Sequence, residues 1–417
     1  MLNIVQSNSF QPEQLDRSID GQTLAGAQAI VDTVRAEGET GIRKYAAQFG
    51  ERTDDQPLLI GPDEMNAARE RIDSEDLALL QRVAKRIRAF AKAQLESLSE
   101  LKTPVPGGFA GHTIEPIVNV GCYAPAGRFA LPSTVLMTVV PAVVAGCENV
   151  TLATPNPSDL MLAAASVAGA DQVLAVGGAQ AIAAMAYGFD GLERRDLISG
   201  PGNRWVTAAK QIVHGDCGID MLAGPSELVL LADDSADAET IAADLLGQAE
   251  HDADARPFLV TTDQNLAEAV NVALTNQLDS LPTAESARQA LTNGSTIVCD
   301  SIERAIEVCN EIATEHLELH CRDAASVAKQ IKHAGCLFIG HQSAEVFGDY
   351  GVGPNHTLPT AGTSRWSAGL NVFTYVRVRT WLQLDAAPQE LIDDTARLAE
   401  LEGLIGHQRS ALRRAKS

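Results

Sequence analysis

The chain has 417 residues, 45% of them hydrophobic and 21% charged, which is typical of a globular protein and excludes a wholly disordered one. Its 54 acidic residues outnumber its 32 basic residues, giving a formal net charge of −22. Because this charge repels phosphate groups and anionic lipids, we expect no partner among nucleic acids and no attachment to a membrane surface.

The amino terminus and the cysteines indicate a cytoplasmic protein. The first residues contain no basic stretch followed by an apolar one, so no secretory signal is expected. The longest apolar run, 135–145, is far shorter than the ~20 residues that cross a bilayer, and we interpret it as a buried helix. Seven cysteines without any CxxC pair argue against a disulfide framework or a cysteine zinc cluster.

In chain order, helical patterns come first and alternating strands and helices follow. An acidic capping segment at 73–76 precedes apolar residues at helical spacing up to residue 90. The alternation after residue 112 predicts βα units with largely parallel sheets. The predicted strands lie at 149–153, 172–176, 227–232, 258–261 and 296–299, and the later predicted helices at 236–252, 263–275, 302–312 and 323–332.

The remaining chain predicts an irregular segment after Gly353 and a helical tail from about residue 388. The expected fold class is therefore α/β. It consists of two α/β domains, a helical amino-terminal lead-in and a small helical carboxy-terminal domain.

Gln248 and His251 lie three positions apart near the end of a predicted helix, so both side chains project from one face. An amide oxygen and an imidazole placed in this way suit two corners of a zinc site. A polar helix end, where histidine complements the negative pole of the helix dipole, has the same pattern. Taken alone, the segment is more typical of the polar helix end.

Glu315 and His316 stand side by side at the start of a short predicted strand. A carboxylate and an imidazole can act as bases on a water and on an alcohol. Adjacent strand residues point to opposite faces, so both serve one site only if the backbone is irregular there. Taken alone, a solvated strand start is the simpler interpretation.

Asp349 and His356 belong to a segment rich in glycine, which a metal site or an ordinary surface loop explains equally well. His407 lies in the tail helix, where an exposed histidine is the ordinary interpretation.

Two segments resemble anion-binding helix starts, 176–180 and 199–203, although neither has the GxGxxG spacing. Ser226 lacks the GxSxG spacing of a serine hydrolase. The residues by themselves therefore indicate a metalloenzyme and leave its reaction open.

Taken together, these segments resemble the histidinol dehydrogenase family, in order and with family-like spacing, from about residue 20 to the carboxy terminus. The matching stretches are 200–203, 218–227, 248–252 (Gln-Ala-Glu-His-Asp), 315–318 (Glu-His-Leu-Glu), 348–363 and 402–407. The resemblance implies a cytoplasmic homodimer with shared active sites, one zinc ion per subunit and NAD. The implied reaction is the oxidation of L-histidinol through the aldehyde to L-histidine, which completes histidine biosynthesis.

The resemblance also implies a role for each residue at the matching positions. Glu315 and His316 would be the catalytic acid/base pair. The implied metal ligands are Gln248, His251, Asp349 and, from the partner subunit, His407. The implied substrate contacts are Ser226, Gln248, His251, His316, Asp349, His356, Glu402 and His407. The implied residues of the NAD site are Tyr123, Gln180 and Asn203.

The implied organisation comprises two Rossmann-like domains and two terminal parts. An arm would cover 1–20, the first domain with the metal site 21–123 plus 227–365, the NAD domain 124–226, and a dimer-crossing appendage 366–417. The chain departs from the family pattern between Ala126 and Pro132, where a second glycine and a tyrosine before the proline are usual, and after Asn371, where a lysine–arginine pair is usual.

Three alternatives remain open from the sequence. A related zinc and NAD dehydrogenase would oxidise another small polar alcohol, such as a sulfonated diol. A zinc hydrolase would use Glu315 as a general base without a nucleotide. A non-catalytic protein would keep the fold alone, although the complete set of candidate ligands speaks against it.

Overall fold

A computed structural model describes residues 1–11, 19–126 and 130–416. Within these ranges, three sheets contain all the strands. The strands are β1 Asn3–Gln6, β2 Leu59–Ile60, β3 Leu101–Val105, β4 Gly108–Pro116, β5 Asn119–Tyr123, β6 Asn149–Ala153, β7 Gln172–Leu174, β8 Leu197–Ser199, β9 Gly218–Ile219, β10 Glu227–Ala232, β11 Arg256–Thr261, β12 Ser295–Val298, β13 His316–His320, β14 Cys336–Ile339 and β15 Val376–Leu384.

Helices cover both faces of the two larger sheets. They are α1 Gly21–Glu37, α2 Glu39–Gln48, α3 Pro62–Arg71, α4 Ser74–Glu96, α5 Pro132–Ala145, α6 Asp159–Ala168, α7 Gly178–Tyr187, α8 Arg204–Val213, α9 Ala238–Ala249, α10 Gln264–Leu278, α11 Ala284–Ala290, α12 Ile302–Ile312, α13 Ala324–Ala328, α14 Glu345–Asp349, α15 Gln389–Leu401 and α16 Ile405–Arg413. Short 3₁₀ turns lie at Leu291–Asn293, Thr363–Arg365, Val372–Tyr375 and Arg414–Lys416.

The first large sheet is parallel, with the strand order β1-β12-β11-β10-β13-β14. We call it the metal-side sheet because the predicted ligands Gln248 and Asp349 lie on helices that follow its strands. The chain moves outward from β10 through β11 to β12, and then returns to the other side of β10 with β13. In the register of β10 with β13, Leu228 pairs with His316. Glu227 and Glu315 therefore lie together at the amino ends of two neighbouring strands.

The second large sheet has the order β2-β7-β6-β5-β8-β9 and is parallel except for β2. We call it the nucleotide-side sheet because the predicted NAD-site residues Tyr123 and Asn203 lie at, or shortly after, the ends of its strands. The chain runs from β5 to β6 and β7, and then crosses back to place β8 beside β5. This reversal creates a switch point between β5 and β8, the place where open α/β sheets bind ligands at the carboxyl ends of their strands.

A separate antiparallel sheet joins distant parts of the chain. β4 pairs with both β3 and β15 over most of their length. Tyr375, just before β15, is fully buried, and its hydroxyl group contacts Ser199 Oγ and the carbonyl oxygen of Thr138, each at 2.8 Å. These contacts attach the carboxy-terminal segment to the nucleotide-side core.

The fold confirms the α/β class and the largely parallel sheets. The apolar run at 135–145 is the core of α5, which begins with Pro132 and ends before Gly146 in the left-handed conformation. Among the described residues, no helix is both long and apolar enough to cross a membrane. Two features of the structure are not predicted from the sequence. They are strand β1, in an amino-terminal region whose pattern is helical, and the antiparallel sheet of β3, β4 and β15.

The division of the chain differs from the expected one in its amino-terminal part. Residues 21–123 were grouped with the metal-side segment 227–365. In the structure, α1 to α4 pack instead on α5 to α8 of the nucleotide-side sheet, and β5 is a strand of that sheet. Their apolar faces cover a sheet whose parallel strands all follow them in the chain, a pairing that local patterns do not specify.

Candidate active site

Glu315 and His316 are held by the backbone of one residue on the adjacent strand. The N–H of Glu227 donates to Glu315 Oε2 at 2.9 Å, and His316 Nδ1 donates to the carbonyl oxygen of Glu227 at 3.1 Å. Glu315 Oε2 lies 3.7 Å from His316 Nδ1. Glu315 precedes β13 and lies two residues after Ala313, which has the left-handed conformation. The backbone is therefore irregular here, and both adjacent side chains contact the backbone of Glu227.

The hydrogen bond to a carbonyl oxygen determines the tautomer of His316. A carbonyl only accepts, so Nδ1 carries the proton and Nε2 keeps its lone pair. Nε2 has no hydrogen-bond partner among the described residues. Burial lowers the pKa of His316 to about 3, so its ring is neutral near pH 7. His316 thus presents an unprotonated basic nitrogen.

Glu315 is buried and has a perturbed pKa. Burial raises its pKa well above the ordinary carboxyl value, and the charges of Glu227 and Asp349 raise it further. Hydrogen bonds from the Glu227 N–H and from the Ser226 hydroxyl group oppose this shift. A carboxyl group in this state is a stronger base, once ionised, than one in water.

Asp349 lies between two imidazole rings. Its Oδ2 is 3.6 Å from His251 Nε2, and its Oδ1 is 3.8 Å from His316 Nε2. Burial raises the pKa of Asp349 to about 6, while His251 acts in the opposite direction. Asp349 was expected in a glycine-rich loop but is the last residue of the short helix α14.

Gln248 joins His251 to a carboxylate that the sequence analysis did not select, that of Glu345. With its amide nitrogen toward Glu345, Gln248 donates to both carboxylate oxygens at 3.1 and 3.2 Å, and its oxygen accepts from His251 Nδ1 at 3.3 Å. His251, Glu345 and Asp349 place their ligand atoms within 4.8 Å of one another. Glu345 was identifiable in principle, since it lies four residues before Asp349 on one helix face.

His356 approaches the site from the loop that follows α14. Its Nδ1 donates to the carbonyl oxygen of Asp349 at 3.0 Å, and its Nε2 lies 3.3 Å from Thr134 Oγ1. Burial lowers the pKa of His356 to about 4. His356 therefore links the metal-side residues to α5 of the nucleotide-side sheet.

Glu402 and His407 are not brought to this cluster. Glu402 follows α15 and His407 lies in α16, and both side chains are exposed. Within the described chain, neither side chain forms a hydrogen bond or an ion pair. The structure of the single chain therefore assembles the other predicted metal and acid/base residues without these two.

The predicted nucleotide residues lie at the carboxyl end of the second sheet. The N–H of Gly178 donates to the Tyr123 hydroxyl oxygen at 3.1 Å, and Gln180 Nε2 donates to Glu51 Oε2 at 3.0 Å. Gln180 Oε1 is buried and has no hydrogen-bond partner among the described residues. Asn203 caps the amino end of α8, accepting from the N–H groups of residues 205 and 206.

These positions match the ligand-binding edge of an open α/β sheet. Tyr123 ends β5 and Asn203 follows β8, so both border the switch point. The helix start predicted at 176–180 includes the first turn of α7, and the one predicted at 199–203 ends directly before α8. Of the divergent glycine loop, Gly127, Arg128 and Phe129 lie outside the described residues.

Glu227 and Arg256 also escaped the sequence analysis. Arg256 Nη1 lies 3.5 Å from Glu227 Oε1, and the N–H of Ala361 donates to Glu227 Oε2 at 3.2 Å. Burial raises the pKa of Glu227 to about 7, an effect that Arg256 opposes. Glu227 ends the matching stretch 218–227 but has no implied role there. Arg256 belongs to no motif, because it meets Glu227 only through the pairing of β10 with β11.

A protein-family model described as "Histidinol dehydrogenase" matches residues 15–415. The chain belongs to the histidinol dehydrogenase family. As a histidinol dehydrogenase family member, it is an oxidoreductase.

Individual relatives agree over nearly the whole chain. The histidinol dehydrogenase of Sulfurimonas denitrificans is 39% identical over 91% of this chain and 90% of its own, and that of Methanosarcina mazei is 41% identical over 91% and 89%. The crystal structure of histidinol dehydrogenase from Elizabethkingia anophelis superposes with a TM-score of 0.92 at 34% identity, covering 100% of this chain and 98% of that one.

Proposed function

We propose that the chain oxidises L-histidinol twice, through L-histidinal to L-histidine, with NAD as the electron acceptor and one catalytic zinc ion per subunit. The observation that carries this proposal is that a neutral His316, whose Nε2 has no hydrogen-bond partner among the described residues, lies beside the buried carboxyl group of Glu315. Two successive oxidations need a base for an alcohol and a base for a water, and the site provides both.

The donor set suits zinc. His251 Nε2 and the Asp349 carboxylate face each other, and Gln248 is buried beside them. Nitrogen and oxygen donors without any thiolate are compatible with zinc. Gln248, His251 and Asp349 would hold the metal, together with His407 of the partner subunit. A bound zinc ion would supply a Lewis acid that orients the amine and imidazole nitrogens of the substrate.

The edge of the nucleotide-side sheet suits NAD, which would supply the hydride acceptor for each oxidation. The unpartnered Gln180 Oε1 gives a ligand one acceptor, and the positive ends of the α7 and α8 dipoles favour an anionic group such as a phosphate. Tyr123, Gln180 and Asn203 would line this site.

The protein groups would move protons in two stages. In the first, His316 Nε2 accepts the hydroxyl proton of the alcohol while its Nδ1–H stays on the carbonyl oxygen of Glu227. In the second, Glu315 accepts a proton from the water that adds to the aldehyde carbon. His316, after releasing its first proton to solvent, then accepts the remaining hydroxyl proton of the anionic aldehyde hydrate as the carbon loses a second hydride, and the product is the carboxylate.

Ser226, His356 and Glu402 would contact the substrate. Ser226 and His356 already lie at the cluster. Glu402 would arrive with His407 from the other subunit of a homodimer. The free side chains of both residues support this arrangement, as do the exposed apolar residues Leu398 and Leu401 on α15.

The test is to count the NADH formed per L-histidinol consumed by the purified, zinc-loaded protein. We expect two NADH per substrate, and no turnover after chelation of the metal. Turnover that yields one NADH, or none while NAD still binds, would contradict the proposal and favour a dehydrogenase of another small alcohol. Absence of NAD binding would favour the hydrolase.

A further inference from the structure

A second group of ionisable side chains lies deeper in the metal-side sheet. It consists of Asp244, one helical turn before Gln248 on α9, and of Glu318 and His320 on β13. His320 Nε2 is 3.4 Å from Glu318 Oε2 and 3.9 Å from Asp244 Oδ2. All three residues place a ligand atom within 4.8 Å of the others. The mechanism described above uses none of them.

This cluster is buried and its polar atoms are not satisfied. Glu318 is 0% exposed and His320 is 1% exposed. Both ring nitrogens of His320, Oε2 of Glu318 and Oδ2 of Asp244 have no hydrogen-bond partner among the described residues. Buried polar groups without partners are costly and rare. Three of these atoms, His320 Nε2, Glu318 Oε2 and Asp244 Oδ2, lie close together, which indicates a missing ligand.

The charge of the cluster indicates whether the missing ligand is a cation or an anion. Burial and the neighbouring Glu318 raise the pKa of Asp244 above the ordinary value, which means that two carboxylates repel each other here. No lysine or arginine in the described chain forms an ion pair with either carboxylate. The ligand that relieves this repulsion is a cation.

The geometry is that of a preformed coordination site. One oxygen of Glu318 accepts the N–H of Glu345 at 2.5 Å, which leaves Oε2 directed toward His320. His320 Nε2 lies 3.4 Å from Glu318 Oε2 and 3.9 Å from Asp244 Oδ2. Two ligand atoms of a tetrahedral metal site with bonds of about 2.0 to 2.1 Å are ~3.3 Å apart, which is close to these distances.

We propose that Asp244, Glu318 and His320 form a second divalent-metal site, separate from the catalytic zinc site. An imidazole with two carboxylates and no thiolate selects an ion of the zinc or manganese class over copper(I) and over calcium. Asp244 is partly exposed and the exposed His341 ring packs edge-on at 5.4 Å from His320. This side provides the route by which the ion enters.

The proposal is tested by counting metal ions per chain in the full-length protein. The protein is stripped with a chelator, loaded with Zn²⁺ alone or Mn²⁺ alone, freed of excess metal by gel filtration and analysed by elemental mass spectrometry. We expect two equivalents in the wild type for at least one of these ions. Asp244→Asn and His320→Gln should each lose one equivalent, whereas the matched histidine control His333→Gln should lose none.

The His251→Ala variant separates the two centres. It should lose the other equivalent, and a His251→Ala, Asp244→Asn double variant should lose both. A wild type that binds one equivalent, removed by His251→Ala and retained in Asp244→Asn, would overturn the proposal. Circular dichroism checks that each variant is folded. If His320→Gln does not fold, the partly exposed Asp244→Asn carries the test.

Discussion

His316 and Glu315 differ in the states that the protein gives them. The imidazole has one nitrogen fixed as a donor to Glu227 and the other free of hydrogen bonds, whereas the carboxyl group is held by an N–H and a hydroxyl group. The two side chains are thus prepared for different proton transfers, although they are neighbours in the sequence.

This difference predicts distinct effects of two substitutions. Glu315→Gln should leave the first oxidation largely intact and slow the hydration step, so that NADH per histidinol consumed falls from two toward one and aldehyde accumulates. His316→Gln should slow the first oxidation on the order of 100- to 10,000-fold. Stopped-flow NADH traces with aldehyde trapping measure both effects. Equal loss of the first NADH in both variants would contradict the assignment.

Burial of His316 also predicts how stability depends on pH. In the folded protein its pKa is about 3, against ~6.5 in the unfolded chain. Between these values the unfolded chain binds a proton that the folded one does not, so stability falls as the pH decreases. From pH 7 to pH 5 the metal-free protein should lose about 2 kcal/mol of unfolding free energy through this residue.

Urea unfolding of the metal-free protein at both pH values measures this loss. His316→Gln, which removes the titrating ring, should show a pH dependence shallower by about the same amount. The matched variant His333→Gln should keep the wild-type dependence. An unchanged slope in His316→Gln would show that the buried ring does not titrate as described.

At the scale of helices and strands, the pairing of strands positions the candidate active-site residues. The amino ends of β10 and β13 meet because the chain returns to the far side of β10, and α9 brings Gln248 back to the same edge. The predicted metal and acid/base residues therefore gather at the amino edge of one sheet, whereas the predicted nucleotide residues lie at the carboxyl edge of the other.

The contact of Tyr375 predicts how firmly the carboxy-terminal segment is attached. Tyr375→Phe removes the hydroxyl group that meets Ser199 and Thr138 in the core, leaving buried polar atoms unpaired. We expect a loss of about 1 to 3 kcal/mol in unfolding free energy. Tyr187→Phe, which removes an exposed hydroxyl bonded to Asp216, should cost less than about 0.5 kcal/mol. Urea titration compares the two, and equal losses would contradict the anchoring role.

At the scale of the whole molecule, the single chain does not bring two of the expected site residues to the others. His407 and Glu402 are exposed on helices that also present apolar residues to solvent, Leu398 and Leu401 among them. A homodimer that covers these residues would complete the metal site and the substrate site together.

Subunit mixing tests this arrangement. His251→Ala and His407→Ala homodimers should both be inactive. A heterodimer of the two, isolated through different affinity tags, has one site with both defects and one intact site. It should therefore regain about half of the wild-type activity per dimer. A heterodimer as inactive as its parents would show that His251 and His407 act within one subunit.

The sequence by itself determined the α/β class, the buried helix at 135–145 and the candidate pairs Gln248 with His251 and Glu315 with His316. These features follow from periodicity and spacing among residues that are close together in the sequence. The family resemblance rested on several such segments occurring in order.

Only the tertiary structure decided which distant residues meet. The roles of Glu227 and Glu345, the packing of α1 to α4 on the nucleotide-side sheet and the cluster around His320 depend on contacts between residues far apart in sequence. The same structure decided the state of His316, whose pKa and tautomer are set by burial and by a carbonyl oxygen of another strand. Such effects arise from the surroundings of a side chain, which local sequence patterns do not encode.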